Sequence, residues 1–269
     1  MRKYLIVFII LIMVITYISY HYRESAAVVV SDNITTINNI ETSSLKILTY
    51  NIRHGRGVDD QVNLERIAGI LKKTGADIIG LNEVDNRMKR SSFKNQVKFL
   101  ADRLNMNYVF GPAQKNLSGS YGNAILTKYS IAEADNTILP VRKNSEKRAL
   151  IQAKVVLPDS QEFVIMNTHL SLSSEERTEQ LETIENIISK MEGGQYILMG
   201  DFNSDVLDNF SLLPLVNEKT YPSWKPEKAI DRFYSNINPA QIIKSFTIVE
   251  RASDHLPVLM EIDFSADVS

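Results

Sequence analysis

The sequence predicts an α/β fold, and three features predict it. Short apolar runs alternate with segments of helical period, glycines and asparagines punctuate the joins, and polar clusters fall where the apolar runs stop. With 269 residues, 44% hydrophobic and 23% charged, the chain is long enough to bury one sizeable core.

Taken in order, Leu45 to Tyr50 reads as a strand ending at Asn51. Asn63 to Lys73 carries Leu64, Ile67, Ala68 and Leu71 at helical spacing, and Gly75 stops it. Asp77 to Leu81 is a second strand, ending at Asn82 and Glu83. Phe93 to Leu104 reads as an amphipathic helix with Phe93, Val97, Leu100 and Leu104 on one face. Strands are expected at Tyr108 to Phe110, Ala124 to Thr127, Ile131 to Leu139, Ala149 to Leu157 and Phe163 to Asn167. Helix returns over Ser174 to Lys190, closed by Gly193 and Gly194. The last strands are Tyr196 to Met199, Ile230 to Tyr234, Ile242 to Val249 and Pro257 to Phe264.

Ahead of this lies a membrane signal. Arg2 and Lys3 precede Leu5 to Tyr20, an apolar run without charge. Residues 1–24 are read as an anchor, or as a secretory signal cleaved near Ser25-Ala26-Ala27. The basic residues at the amino end place the rest of the chain outside the membrane, and secreted if the segment is cleaved. Residues 25–44, rich in Ser, Thr, Asn and Val without period, read as a stalk. Residues 45–269 are read as the folded domain outside the membrane. No cysteine is present, which excludes disulfides, thiolate zinc sites, a cysteine nucleophile and a lipid-modified lipoprotein. The net charge of −2 argues against a broad electropositive surface. The first 44 residues carry equal numbers of acidic and basic groups, so that argument holds for the remainder.

The apolar run Tyr196 to Met199 stops at Gly200, which lets the backbone turn before Asp201 and Asn203. The same pattern recurs. Asn51 and Glu83 end the first two strands, His169 follows Phe163 to Thr168, Asp231 sits within an apolar run, and Asp254-His255 precede the last strand. Three of the four histidines, His54, His169 and His255, lie near these ends. Ligands of open sheets bind at strand ends. Glu83, Asp201, Asp231 and Asp254 could not share one pocket as anions without a cation or a proton to offset them. Oxygen ligands select a hard cation, Mg²⁺ first, with Mn²⁺ or Ca²⁺ as alternatives. Asparagines donate to phosphoryl oxygens, and a histidine held by a carboxylate takes a proton from water. The chemistry implied is metal-assisted hydrolysis of a phosphate ester.

The motifs Thr49-Tyr50-Asn51-Ile52, Asn82-Glu83-Val84, Tyr121 to Leu126, Asn167-Thr168-His169-Leu170, Gly200-Asp201-Phe202-Asn203, Ile230-Asp231 and Ser253 to Val258 together resemble the endonuclease/exonuclease/phosphatase (DNase I-like) superfamily. The chain looks like a membrane-anchored, bacterial-type member. The resemblance implies a four-layer α/β sandwich, two packed mixed sheets flanked by helices. It implies Glu83 as main metal ligand with Asn51 and Asp254 beside it, and His255, oriented by Asp231, as general base. Asp201 and Asn203 would hold water and phosphate in line, and His169 would bond the phosphate or the leaving oxygen. Asp201 and His255 remain alternatives for the base.

One departure concerns substrate. Pancreatic-type DNases, by the same resemblance, carry a Glu near the position of Asn123. Arg87, Lys89, Arg90, Arg142, Lys143, Lys147 and Arg148 offer a basic rim for a phosphate backbone or an anionic headgroup. The expectation is a monomeric, outward-facing Mg²⁺-dependent phosphodiesterase, nuclease-like. A phospholipid or sphingomyelin phosphodiesterase is the alternative, and a non-catalytic binding module on the same fold is a third reading.

Overall fold

The computed structural model describes residues 4, 8–14, 29–31, 44–191, 193–207 and 210–263. Two mixed sheets carry the fold. The first has seven strands in the order β1-β4-β5-β3-β2-β12-β11, and the second five in the order β10-β9-β8-β7-β6. In chain order the strands are β1 (Val29–Ser31), β2 (Ser44–Asn51), β3 (Ile78–Asn86), β4 (Asn107–Asn116), β5 (Gly119–Thr127), β6 (Ser130–Ile138), β7 (Ala149–Val156), β8 (Glu162–His169), β9 (Gln195–Asp201), β10 (Asp231–Ser235), β11 (Ile242–Thr247) and β12 (Val258–Asp263). From residue 44 on, the α-helices among the described residues are α1 (Leu64–Thr74), α2 (Gln96–Leu104) and α3 (Ser174–Ile188).

Strand alternation builds the layers. Ile47, Ile78, Ile125, Ile165, Ile197, Met199, Val258 and Met260 point between the sheets into a shared core. Their neighbours Leu48, Tyr50, Ile79, Leu126 and Leu259 point outward to Ile67, Leu71, Val97 and Leu100 of α1 and α2. On the far side Leu150, Met166, Leu198 and Tyr234 meet Leu181 and Ile184 of α3. The result is helix, sheet, sheet, helix, the four-layer α/β sandwich expected. Each sheet contains one parallel pair, β2 with β3 and β8 with β9, and a helix makes each crossover, as parallel strands require.

Several boundaries move for physical reasons. Phe93 is not on the face of α2: it precedes the helix at φ 57°, and is 59% exposed. The helix starts later because the Asn95 side chain accepts from Lys98 N, and a cap of this kind outweighs the apolar spacing. The stalk expected over residues 25–44 contains a strand, with Val29, Val30 and Ser31 paired to Phe110, Val109 and Tyr108. Two β-branched residues beside the open edge of β4 suffice for that. Of the anchor expected over residues 1–24, Tyr4 and a helical stretch at 8–14 are described, and the rest lies outside the described residues. No helix among the described residues is long and apolar enough to cross a membrane.

A buried amide network joins the two sheets beneath one end of the sandwich. Asn82 Nδ2 lies 3.0 Å from Asn123 Oδ1, 3.1 Å from Asn167 Oδ1 and 2.9 Å from the Thr168 carbonyl. Asn167 Nδ2 donates to the carbonyls of Leu81 and Ala124, and Asn123 Nδ2 donates to Ala149. Asn123 is thereby occupied in tying the sheets together.

Candidate active site

Backbone register lines up the first row of the site. Asp201 closes β9 with His169 of β8 as its partner on one side and Asp231 of β10 on the other. Asp201 is therefore the last residue of the strand itself. Gly200, at φ 137°, has Thr168 O where a Cβ would sit, so no side chain fits there. In the facing sheet Asn51 ends β2 opposite Asn82 of β3. Glu83 does not end its strand as the sequence suggested. It sits in a bulge between Leu81 and Val84, at φ 58°, and β3 runs on to Asn86. The bulge breaks the regular alternation and re-aims Glu83 into the cleft, while Asn82 stays in the amide network. Positive φ recurs at Arg53, His54 and Asn203, so left-handed backbone concentrates at the site.

The side chains converge on Asp201. Asn51 Nδ2 donates to Asp201 Oδ2 at 3.0 Å and to Glu83 Oε1 at 3.2 Å, bridging the sheets. His169 Nε2 lies 3.4 Å and His255 Nε2 3.6 Å from the same Asp201 oxygen. Asn82 Oδ1 accepts from Asp201 N, and Asn203 N donates to Asp201 Oδ1 at 2.9 Å. His255 Nδ1 is 2.8 Å from Asp231 Oδ2, which also accepts from Thr220 Oγ1. The His255 ring packs on Tyr221, their centroids 4.9 Å apart. Asp254 Oδ2 is 3.6 Å from Arg53 Nε. The cleft over these groups measures about 600 Å³, and Glu146, Leu172, Asp205, Val206 and Lys228 are among its walls.

Burial would depress His255, but Asp231 and Asp201 outweigh it and hold the imidazole up at about 10. Burial raises Asp201 to about 6, Asp231 adding to the effect while the His255 charge opposes it. His169 is pushed well below its ordinary value by burial and then by Arg148. Glu83 is raised by burial, and Asp254 adds to this.

All eight expected residues lie at this end of the sandwich. His255, Asp231, Asp201, Asn203 and His169 form one connected cluster, with Glu83, Asn51 and Asp254 beside it. Asn51 departs in orientation from a ligand: its amide nitrogen faces the carboxylates, and its Oδ1 accepts from Arg53 N at 3.0 Å. Two carboxylates, Glu83 and Asp254, remain, like charges that repel each other, an oxygen donor set that fits a hard divalent cation. Asp201, Asp231 and His255 also offer ligand atoms within 4.8 Å of one another. Using that trio for a metal would cost the His255–Asp231 hydrogen bond, so the pair Glu83 and Asp254 fits better.

Arg148, expected in a basic rim, is instead a buried part of the site. Its Nη1 lies 3.1 Å from His169 Nδ1, and its Nη2 3.3 Å from Glu146 Oε2. Two more members of the expected rim are engaged in ion pairs, Arg90 with Asp85 and Arg142 with Glu179. Thr220 and Tyr221 were also missed, and neither carried a sequence signal, since both belong to an irregular loop brought over by tertiary packing.

Two sheets with a carboxylate, histidine and asparagine cluster at one end define a phosphoester hydrolase fold. Residues 48–255 match the Endonuclease/Exonuclease/phosphatase family, and the chain belongs to that family. Its members are metal-dependent hydrolases acting on phosphoesters. The uncharacterized protein YbhP of Escherichia coli (strain K12) is 25% identical over 244 residues, covering 81% of this chain and 96% of that one. Among solved structures, a mannosyl-6-phosphatase of Bacteroides thetaiotaomicron is similar at a TM-score of 0.68, with 18% identity over 82% of this chain and all (100%) of that one. TDP2 of D. rerio, solved with a single-strand DNA product, gives a TM-score of 0.62, with 18% identity over 82% of this chain and 99% of that one.

Proposed function

We propose that this chain is a metal-dependent phosphodiesterase, tethered by residues 1–24 with its catalytic part, residues 45–269, facing outward. The observation that carries the reaction is Asp201, one carboxylate held by Asn51 and faced by both His169 and His255. Held up to about 6, it has the proton affinity to take a proton from water near neutral pH. His255 sits as an imidazolium between Asp231 and Asp201, placed to offset charge developing on the phosphoryl oxygens. That division makes Asp201 the base. His169 donates to the phosphate or to the leaving oxygen, and Asn203 holds Asp201 in place. Glu83 and Asp254 would hold a divalent cation, Mg²⁺ first, which when bound polarises the phosphoryl group. Arg2 and Lys3 ahead of the apolar run support the outward orientation.

The detergent-solubilised full chain should nick supercoiled plasmid or hydrolyse bis(p-nitrophenyl) phosphate with Mg²⁺, and stop on chelation. Asp201→Ala should abolish turnover while the far-ultraviolet dichroism is kept. Activity surviving in that variant, or surviving chelation, would overturn the assignment. A second reading, a phosphodiester with a compact headgroup such as that of a phospholipid, is favoured by the ion pairs that occupy Arg90 and Arg142. Those pairs leave less positive surface for a nucleic-acid backbone.

A further inference from the structure

Beside the catalytic cleft lies a second cavity of about 470 Å³, between the end of the β4–β5 hairpin and the segment that precedes β7. Its walls are Gln114, Asn116, Tyr121, Asn144, Ser145 and Glu146, with Met88 and Arg90. Glu146 lines both cavities, so they adjoin across a single side chain. A phosphoester with its reacting phosphate against Asp201 has this cavity within reach of one of its two substituents.

The lining excludes most substituents. A second phosphate would need a free cation, but Arg90 is held in a two-pronged ion pair by Asp85, at 2.9 and 2.7 Å, and lies over the Tyr121 ring at 5.0 Å. The Glu146 carboxylate adds negative charge. An acyl chain would find one apolar side chain, Met88. What the cavity offers is the carboxamides of Gln114, Asn116 and Asn144 and the Tyr121 hydroxyl, which give and accept hydrogen bonds together; the Ser145 hydroxyl is turned to Glu176, and Asn116 Nδ2 reaches Met88 Sδ at 3.8 Å. A neutral polyol or sugar gives and accepts at several points in the same way and so matches them. The Tyr121 hydroxyl stays protonated, because burial and then the Glu83 charge raise it well above its ordinary value.

We propose that this cavity is the subsite for a neutral polyhydroxyl substituent of the substrate, with Gln114 and Asn116 as specificity determinants. The proposal rests on the phosphodiesterase reading and deepens it. A sugar phosphodiester and a polyol lipid headgroup share this chemistry.

The test compares two diesters with one leaving group, p-nitrophenyl glucosyl phosphate and p-nitrophenyl methyl phosphate, on the full chain and on its Gln114→Leu/Asn116→Leu variant. The variant should lose about tenfold in kcat/KM on the glucosyl ester, chiefly through KM, the worth of one or two neutral hydrogen bonds. Its rate on the methyl ester should not change. Equal losses on both esters, no loss on either, or a preference of the wild type for p-nitrophenyl phosphocholine would overturn the proposal. Calorimetric titration of glucosyl methyl phosphate into the Asp201→Ala protein keeps the two readings apart. Binding weakened by the leucine pair with no hydrolysis by wild type sinks the hydrolase and keeps the subsite. Hydrolysis without such binding does the reverse. Turnover of phosphatidylglycerol vesicles or of soluble glycerophosphoglycerol identifies the source, and turnover of neither counts against a polyol subsite.

Discussion

Arg148 Nη1 lies 3.1 Å from His169 Nδ1, and this contact decides the tautomer of the histidine. A guanidinium only donates, so Nδ1 must accept and the proton of the neutral ring sits on Nε2. Nε2 is the atom that faces Asp201 at 3.4 Å. Burial and the Arg148 charge keep the ring neutral. Arg148 thus turns His169 into a fixed donor, itself held by Glu146 at 3.3 Å.

Replacing Arg148 should therefore act through His169. Arg148→Lys keeps a charge but cannot reach Glu146 and the histidine from two fixed nitrogens. We expect kcat to fall roughly 10²-fold, within the range of a displaced donor at such a site, with little change in metal affinity. Steady-state kinetics and calorimetric Mg²⁺ binding check this. A kcat unchanged within about twofold would show that the tautomer is set elsewhere.

The amide network should be the more costly place to mutate for stability. Asn82→Leu leaves Asp201 N without its side-chain acceptor and strips partners from Asn167 Oδ1 and the Thr168 carbonyl, all buried. Each stranded group costs about 1–3 kcal/mol, so the loss should be ~3 kcal/mol or more. Urea unfolding measures it. A variant within about 0.5 kcal/mol of wild type would mean that the sheets are held together by the apolar core alone.

His255 predicts a pH dependence of stability. Its ordinary value is 6.5, and in the folded protein it is held up at about 10, against burial, by Asp231 and Asp201. Between these values the folded state binds more protons than the unfolded one, so its contribution is complete below 6.5 and is lost as pH rises through about 10. In chelator, wild type should lose Tm over this window and His255→Gln should lose less. Parallel curves would remove the imidazolium from the account.

Much of this was legible in the sequence because local rules suffice for it. Apolar periodicity gave every strand but β1, and the helices α1, α2 and α3, and Gly75 stops α1 in left-handed conformation. The acidic, histidine and asparagine positions followed strand ends, and strand ends are where a sheet presents side chains to one volume. That is why the candidate residues meet at one end of the sandwich, Glu83 alone being delivered by a bulge within its strand.

What the sequence by itself determined is the layering, the candidate set and the oxygen-rich chemistry, since these follow from pattern and residue type. Tertiary structure alone decided which member of a charged run is buried, and so made Arg148 part of the site while Arg142 stays with Glu179 at the surface. It decided that β3 bulges at Glu83, that Asn51 turns its nitrogen to the carboxylates, and that the amides of Asn82, Asn123 and Asn167 bind each other. The physical reason is the same in each case. A hydrogen bond or a desolvated charge is fixed by a partner tens to hundreds of residues away, and no local pattern encodes that partner.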